Sequence, residues 1–130
     1  DGRAPKRFNF NMFHGECKYI YLFCGDKMNH TDLISFDTKW DFIPIKIKSS
    51  IQTANIERPK NYEYMLEIAK KLSKPFDYVR VDLYNLNAKI YFGELTHYTA
   101  SGTGGGESQS FYFELGKNWK IQSKYWKKII

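Results

Sequence analysis

Asp82 and Glu94 are the two side chains best placed to do chemistry, because the pattern around them sets them on facing strands of one hairpin. Residues 78–84 read Tyr-Val-Arg-Val-Asp-Leu-Tyr, residues 90–96 read Ile-Tyr-Phe-Gly-Glu-Leu-Thr, and Asn85-Leu-Asn-Ala-Lys89 lies between them. β-Branched and aromatic flanks around a turn-forming middle predict a β-hairpin. A three-residue loop from Asn87 to Lys89 would set Leu86 opposite Ile90, Tyr84 opposite Phe92, Asp82 opposite Glu94, and Arg80 opposite Thr96. Side chains alternate faces with period two, so Arg80, Asp82, Glu94 and Thr96 would share one face. Like charges directly opposed, roughly 5 Å apart at Cβ, destabilise a sheet. Mg²⁺ takes hard oxygen ligands, and binding it would remove that repulsion. Two plainer arrangements stay open: an exposed, solvated pair, or neutralisation by Arg80 alone. A two-residue turn would shift the register by one and send the acids to opposite faces.

These groups need a scaffold. Phe8 to Phe13 alternates apolar and polar residues and predicts a half-buried strand. His14-Gly15 reads as a turn, and Glu16 to Cys24, apolar on nearly both faces, as a central strand. A second turn over Gly25 to His30 and a short strand over Leu33 to Phe36 complete a meander. Residues 37–60 read as irregular, with Trp40, Phe42, Ile43, Ile45 and Ile47 packing inward and Pro44 and Pro59 breaking regularity. Asn61 to Lys74 predicts a helix: Asn61 as N-cap, Glu63 in the first turn, and Tyr64, Met65, Ile68, Ala69 and Leu72 at helical spacing before Pro75. Residues 101–110 read as a flexible glycine-rich loop. Phe111 to Ile130 reads as helical, interrupted near Gly116. Strands and helices do not alternate as βαβ units, so the expected class is α+β, a mainly antiparallel sheet with flanking helices, in one domain over residues 1–130.

Composition narrows the function classes. With 42% hydrophobic and 26% charged residues the chain reads as globular and large enough for a core. A net charge of +6 suits an anionic partner such as a nucleotide, an acidic glycan or a membrane surface. Cys17 and Cys24 lie on one predicted strand, roughly 23 Å apart when extended, so no local disulfide joins them. Neither a disulfide framework nor a zinc spacing is present, which favours a reducing cytoplasmic setting. No apolar run approaches membrane-spanning length. The chain opens Asp1-Gly-Arg-Ala-Pro5 without an initiating Met, and is expected to be part of a longer protein.

Taken together, Gly2-Arg-Ala-Pro5, Phe13-His-Gly15, the helix Tyr64 to Ser73, Val79-Arg-Val-Asp-Leu-Tyr-Asn85, Lys89-Ile-Tyr-Phe-Gly-Glu-Leu-Thr96 and Ser101-Gly102 resemble the ATP-grasp superfamily. The closer resemblance is to its TupA-like branch, from bacterial cell-surface polysaccharide biosynthesis, and it covers roughly residues 1 to 120. It implies the carboxy-terminal half of an ATP-grasp domain, with nucleotide-gripping lysines in a preceding half. Such enzymes use ATP to turn a carboxylate into an acyl phosphate and then join it to an amine or thiol. The resemblance assigns Asp82, Glu94 and Thr96 to Mg²⁺ that bridges ATP phosphates, and Arg80 to the acyl phosphate or the transferring phosphoryl group. Thr96 stands where many relatives carry Asn. Asn9 stands where they carry a lysine facing the site, so Arg7 would have to supply the positive charge. Thr99-Ala-Ser-Gly102 replaces the usual Pro-Gly-Ser-Gly.

The remaining features weigh less. Gly102-Thr-Gly-Gly-Gly106 lacks the Gly-Lys-Ser/Thr ending of a P-loop and reads as a connection. His14, His30 and His97 form no metal spacing and read as structural or surface groups. The tail Lys117 to Ile130 carries five lysines, with Trp119, Trp126 and Ile130 near one face if helical; weak membrane-surface contact is one reading, packing on the sheet the stronger one. No nucleic-acid motif is present, and no nucleic-acid partner is expected. The leading reading is an ATP- and Mg²⁺-dependent carboxylate–amine ligase, inactive as this piece alone. The alternative is a non-catalytic module holding an anionic glycan, nucleotide or partner protein, and a basic surface for lipid or nucleic acid ranks third.

Overall fold

Phe8, Phe10 and Met12 give the first strand an apolar face, and that face becomes the centre of the core. A computed structural model describes residues 5–24, 32–44, 56–102 and 109–121. Its order is β1 (Lys6–Phe13), β2 (Glu16–Cys24), β3 (Asp32–Phe36), α1 (Tyr62–Ser73), β4 (Tyr78–Leu86), β5 (Lys89–Thr96), a 3₁₀ turn (Thr99–Gly102) and α2 (Gln109–Gly116). The five strands form one sheet in the order β3-β2-β1-β4-β5, and every neighbouring pair is antiparallel. The class is α+β, as the sequence pattern requires.

One sheet face buries Phe8, Phe10, Met12, Ile20, Leu22, Val79, Val81 and Leu83, and α1 lays Tyr62, Met65 and Ala69 onto it. Each of the Val, Leu, Ile, Phe and Met side chains among them contributes about 1.5–3 kcal/mol by leaving water. Trp40 closes the edge: it stacks on Phe36 at 4.3 Å and 5°, and its Nε1 donates to the Ile56 carbonyl at 2.9 Å. The opposite face carries Arg7, Asn9, Asn11 and Phe13 from β1, Tyr19 and Tyr21 from β2, and Tyr78, Arg80, Asp82 and Tyr84 from β4. A smaller cluster of Phe13, Tyr19 and Tyr21, with Phe111 and Leu115 of α2 against it, covers one end of that face.

Several expectations change in three dimensions. β1 is buried on both faces, because two strands flank it and the far face is covered as well. Asn61 precedes α1 but makes no capping bond; its amide donates instead to the Ala88 carbonyl at 3.0 Å, and its oxygen accepts from Asn85 at 2.7 Å. These bonds tie the helix start to the hairpin turn. Tyr64 is exposed on α1 and Tyr62 takes the buried position, while Phe42 stays at the surface after a bridge to Phe36. The last helix ends at Gly116, and residues 117–121 leave it through a turn stabilised by Asn118 N–H to Leu115 and Trp119 N–H to Gly116. Ile45, Ile47, His30, Trp126, Ile130 and the glycine run after Gly102 lie outside the described residues. Among the described residues no helix is long and apolar enough to cross a membrane.

Candidate functional site

The hairpin closes through a two-residue turn. Asn87 and Ala88 both adopt positive φ (51° and 60°), and Leu86 faces Lys89. Near the turn the pairing is therefore one residue off the three-residue expectation: Tyr84 faces Tyr91 and Leu83 faces Phe92. Continued unchanged, that register would turn Glu94 away from Asp82. A bulge between Val81 and Leu83 restores the expected frame, so that Val81 faces Leu95 and Arg80 faces Thr96. Gly93 and Glu94 together oppose Asp82, the two-against-one arrangement of a β-bulge. Glycine eases the fit there: a Cβ on Gly93 would lie 3.0 Å from both the Asp82 carbonyl oxygen and the Tyr84 ring, so its neighbours would have to give way.

The result is the predicted foursome on one face, with Arg80 at its centre. Arg80 Nε donates to Asp82 Oδ1 and Nη2 to Oδ2, both at 2.7 Å. Nη2 also reaches Glu94 Oε1 at 3.1 Å and Thr96 Oγ1 at 3.2 Å, and Thr96 Oγ1 donates to the same Glu94 oxygen at 3.2 Å. The Asp82 side chain is 1% exposed, that of Arg80 12% and that of Glu94 62%. Arg80 thus pairs with both carboxylates, and Asp82 is not a solvated, unpaired acid. Burial raises the Asp82 carboxyl above the usual carboxylate range, against the Arg80 fork and charge, which pull it down. For Arg80, burial works against the charged form, but the Asp82 hydrogen bond and the two carboxylates outweigh it and raise the guanidinium pKa.

The donor set, two carboxylates and a hydroxyl, is of the hard oxygen type a divalent cation takes. Among the described residues no group of three or more His, Cys, Asp or Glu gathers to hold a metal, so such an ion would draw on Thr96 and on ligands from a bound molecule. Asn9 lies opposite Asp82 across β1 and β4, and opposite Tyr21 across β1 and β2. It is fully buried, and among the described residues neither its Nδ2 nor its Oδ1 has a hydrogen-bond partner. An unpaired buried carboxamide costs about 1–3 kcal/mol, which fits a group held ready for a ligand. Arg7 stands on the same face, its guanidinium 4.1 Å over the Phe23 ring, and helps line a concavity of about 360 Å³ with Asp82, Tyr84, Phe92, Gly93 and Glu94. Arg7 thus brings positive charge to the site face that Asn9 lacks.

The sequence pattern did not foresee the second half of this face. Asn11, opposite Arg80, accepts a hydrogen bond from Tyr78 at 3.2 Å, and Tyr78 lies 4.9 Å from Phe13 and 5.2 Å from Trp119. Odd-numbered Asn9, Asn11, Tyr19 and Tyr21 were a legible signal, because amides and phenols filling one face of central strands are not ordinary solvent positions. Of the histidines, His14 accepts from the Lys120 N–H at 2.9 Å and His97 sits edge-on to Phe76 at 4.7 Å. Both contacts are structural, although His97 directly follows Thr96.

Compared with known proteins, residues 3–120 match the model of the TupA-like ATP-grasp family. No curated protein and no solved structure matches the chain.

Proposed function

Because the chain belongs to the TupA-like ATP-grasp family, we propose that it supplies the acidic half of the active site of an ATP-dependent carboxylate–amine ligase. The observation that carries this reading is the convergence of Arg80, Asp82, Glu94 and Thr96 beside the unpartnered Asn9. In this reading a substrate carboxylate takes the terminal phosphoryl group of ATP, and an amine then displaces phosphate from the acyl phosphate. Mg²⁺ held by Asp82, Glu94 and Thr96 would neutralise charge on the phosphates. Asp82 holds the Arg80 fork through its two short bonds, and Asn9 offers a donor and an acceptor next to them. Arg80 meets a phosphoryl or carboxylate oxygen by releasing its longer contacts to Glu94 and Thr96, while the Asp82 bonds keep it oriented. The acceptor or donor is taken to be a cell-surface sugar acid, made in the cytoplasm, with the lysines that grip ATP in a preceding half.

Calorimetry of the intact protein with Mg·ATP tests the reading. Binding is expected in the wild type and absent in Asp82→Asn, and phosphate release with acid and amine pairs then reports the chemistry. Unchanged Mg·ATP binding in Asp82→Asn refutes it.

A second reading has its own support in the saturation of Asp82 by Arg80. A degenerate module would keep that pair as a permanent brace and bind an anion through Arg7 without Mg²⁺. Binding that persists in EDTA selects this reading.

A further inference from the structure

At the Thr96 end of the same sheet face lies a second cavity, of about 360 Å³, within the usual range for a small-molecule site. Among the described residues twelve line it; seven of these are Phe, Tyr or Trp, and none is Lys, Arg, Asp or Glu. In a chain with 26% charged residues, such a lining suits an uncharged occupant. Among the described residues Leu115 is the one branched aliphatic residue in the lining, so these walls are not those of an acyl-chain pocket. They pair aromatic faces with polar groups, Asn11 and Thr99 among them. Asn11 is 1% exposed and is held by Tyr78, whose hydroxyl donates to it.

The ring orientations narrow the occupant further. Phe13 and Tyr78 are tilted by 51°, Tyr78 and Trp119 by 35°, and Tyr19 stands edge-on to Tyr21 at 71°. Faces pointing in several directions suit a puckered ring that has apolar C–H patches and a hydroxyl rim. At the mouth, Tyr98 is 75% exposed and Trp119 38%, an amphipathic lip of the kind that remains wet in the absence of a partner.

We propose that this cavity is the subsite for a neutral pyranose ring, with Tyr78 and Trp119 as one wall, Tyr19 and Tyr21 as the other, and Asn11 at the floor. Asn11 is the direct strand partner of Arg80, and His97 follows Thr96. A sugar seated here places a substituent one residue pair from the Arg80 cluster, where a carboxylate or amine would react. The sugar's role as substrate rests on the ligase reading; the preference of the cavity for the ring stands on its lining.

Saturation-transfer NMR of the intact protein tests it, with methyl glucopyranoside and N-acetylglucosamine as probes and adenosine and tetramethylammonium as comparators. Both sugars are expected to bind with saturation transferred to their ring C–H groups, and Tyr98→Ala and Trp119→Leu should each weaken them roughly three- to tenfold. Tyr98 projects into solvent, so its removal leaves the core intact. Failure of both sugars to bind overturns the proposal. Preference for adenosine or tetramethylammonium does so too, as does wild-type sugar affinity in both variants. Titration of the same samples with Mg·ATP keeps the two readings apart: sugar binding without nucleotide binding removes the ligase assignment and leaves the subsite standing.

Discussion

Replacing Arg80 by Met should be among the most damaging single changes on the polar face of the sheet. Asp82 is 1% exposed, and both of its carboxylate oxygens depend on the Arg80 fork at 2.7 Å. Met keeps much of the length of the stem but leaves a buried carboxylate uncompensated, a loss of about 3–5 kcal/mol. The same chain supplies a control. Arg58 and Glu63 also pair at 2.9 Å, but their side chains are 48% and 70% exposed, so Arg58→Met should cost less than about 1 kcal/mol. Urea unfolding monitored by circular dichroism measures both. Further evidence comes from pH. Without Arg80 the Asp82 carboxyl, already raised by burial, moves further up, so the folded variant retains a proton that the unfolded chain has lost. Stability of Arg80→Met should therefore fall as pH rises from the ordinary carboxylate range through the raised folded value, and recover on acidification. Arg80→Met/Asp82→Asn should be more stable than Arg80→Met alone, since no unpaired charge remains. If Arg80→Met costs no more than Arg58→Met, Asp82 is effectively solvated and the reasoning about this site is wrong.

Three other expectations concern parts that position the site. Gly93→Ala forces a methyl group against the Asp82 carbonyl, so a loss of about 1–3 kcal/mol is expected, with weaker Mg·ATP binding as Glu94 shifts; wild-type melting would show that the bulge tolerates a side chain. Ala88→Gly relieves a residue at φ 60° in the hairpin turn and should stabilise by about 0.5–1 kcal/mol in thermal unfolding; destabilisation would contradict the left-handed turn. Burial pushes the Cys17 thiol from 9.0 up to about 12, so the unfolded chain ionises first and stability falls as pH rises across that interval. At about 1.4 kcal/mol per pH unit the full effect is about 4 kcal/mol. Tyr62 and Tyr78, also raised by burial, act in the same direction, so Cys17→Ala should flatten the alkaline slope without abolishing it; an unchanged slope would place the thiol in water.

The sequence alone determined that two strands meet in a hairpin within residues 78–96, that one helix covers the sheet, and that Arg80 and Asp82 share one face of their strand while Glu94 and Thr96 share one face of theirs. Alternation of side chains is local, so composition and spacing carry it. The means by which the two pairs come to one face was not legible. A two-residue turn and a bulge at Gly93 each shift the frame by one, and the shifts compensate; a count of loop residues sees their sum alone. Which partner neutralises Asp82, and whether Asn9 has one, depended on burial by strands from both sides. Desolvation is a property of the assembled sheet, because water is excluded by residues distant in the chain. The aromatic cavity arose in the same way. Phe13, Tyr19, Tyr78 and Trp119 come from three strands and the segment beyond α2, and only antiparallel pairing with chain return over the sheet brings their rings together.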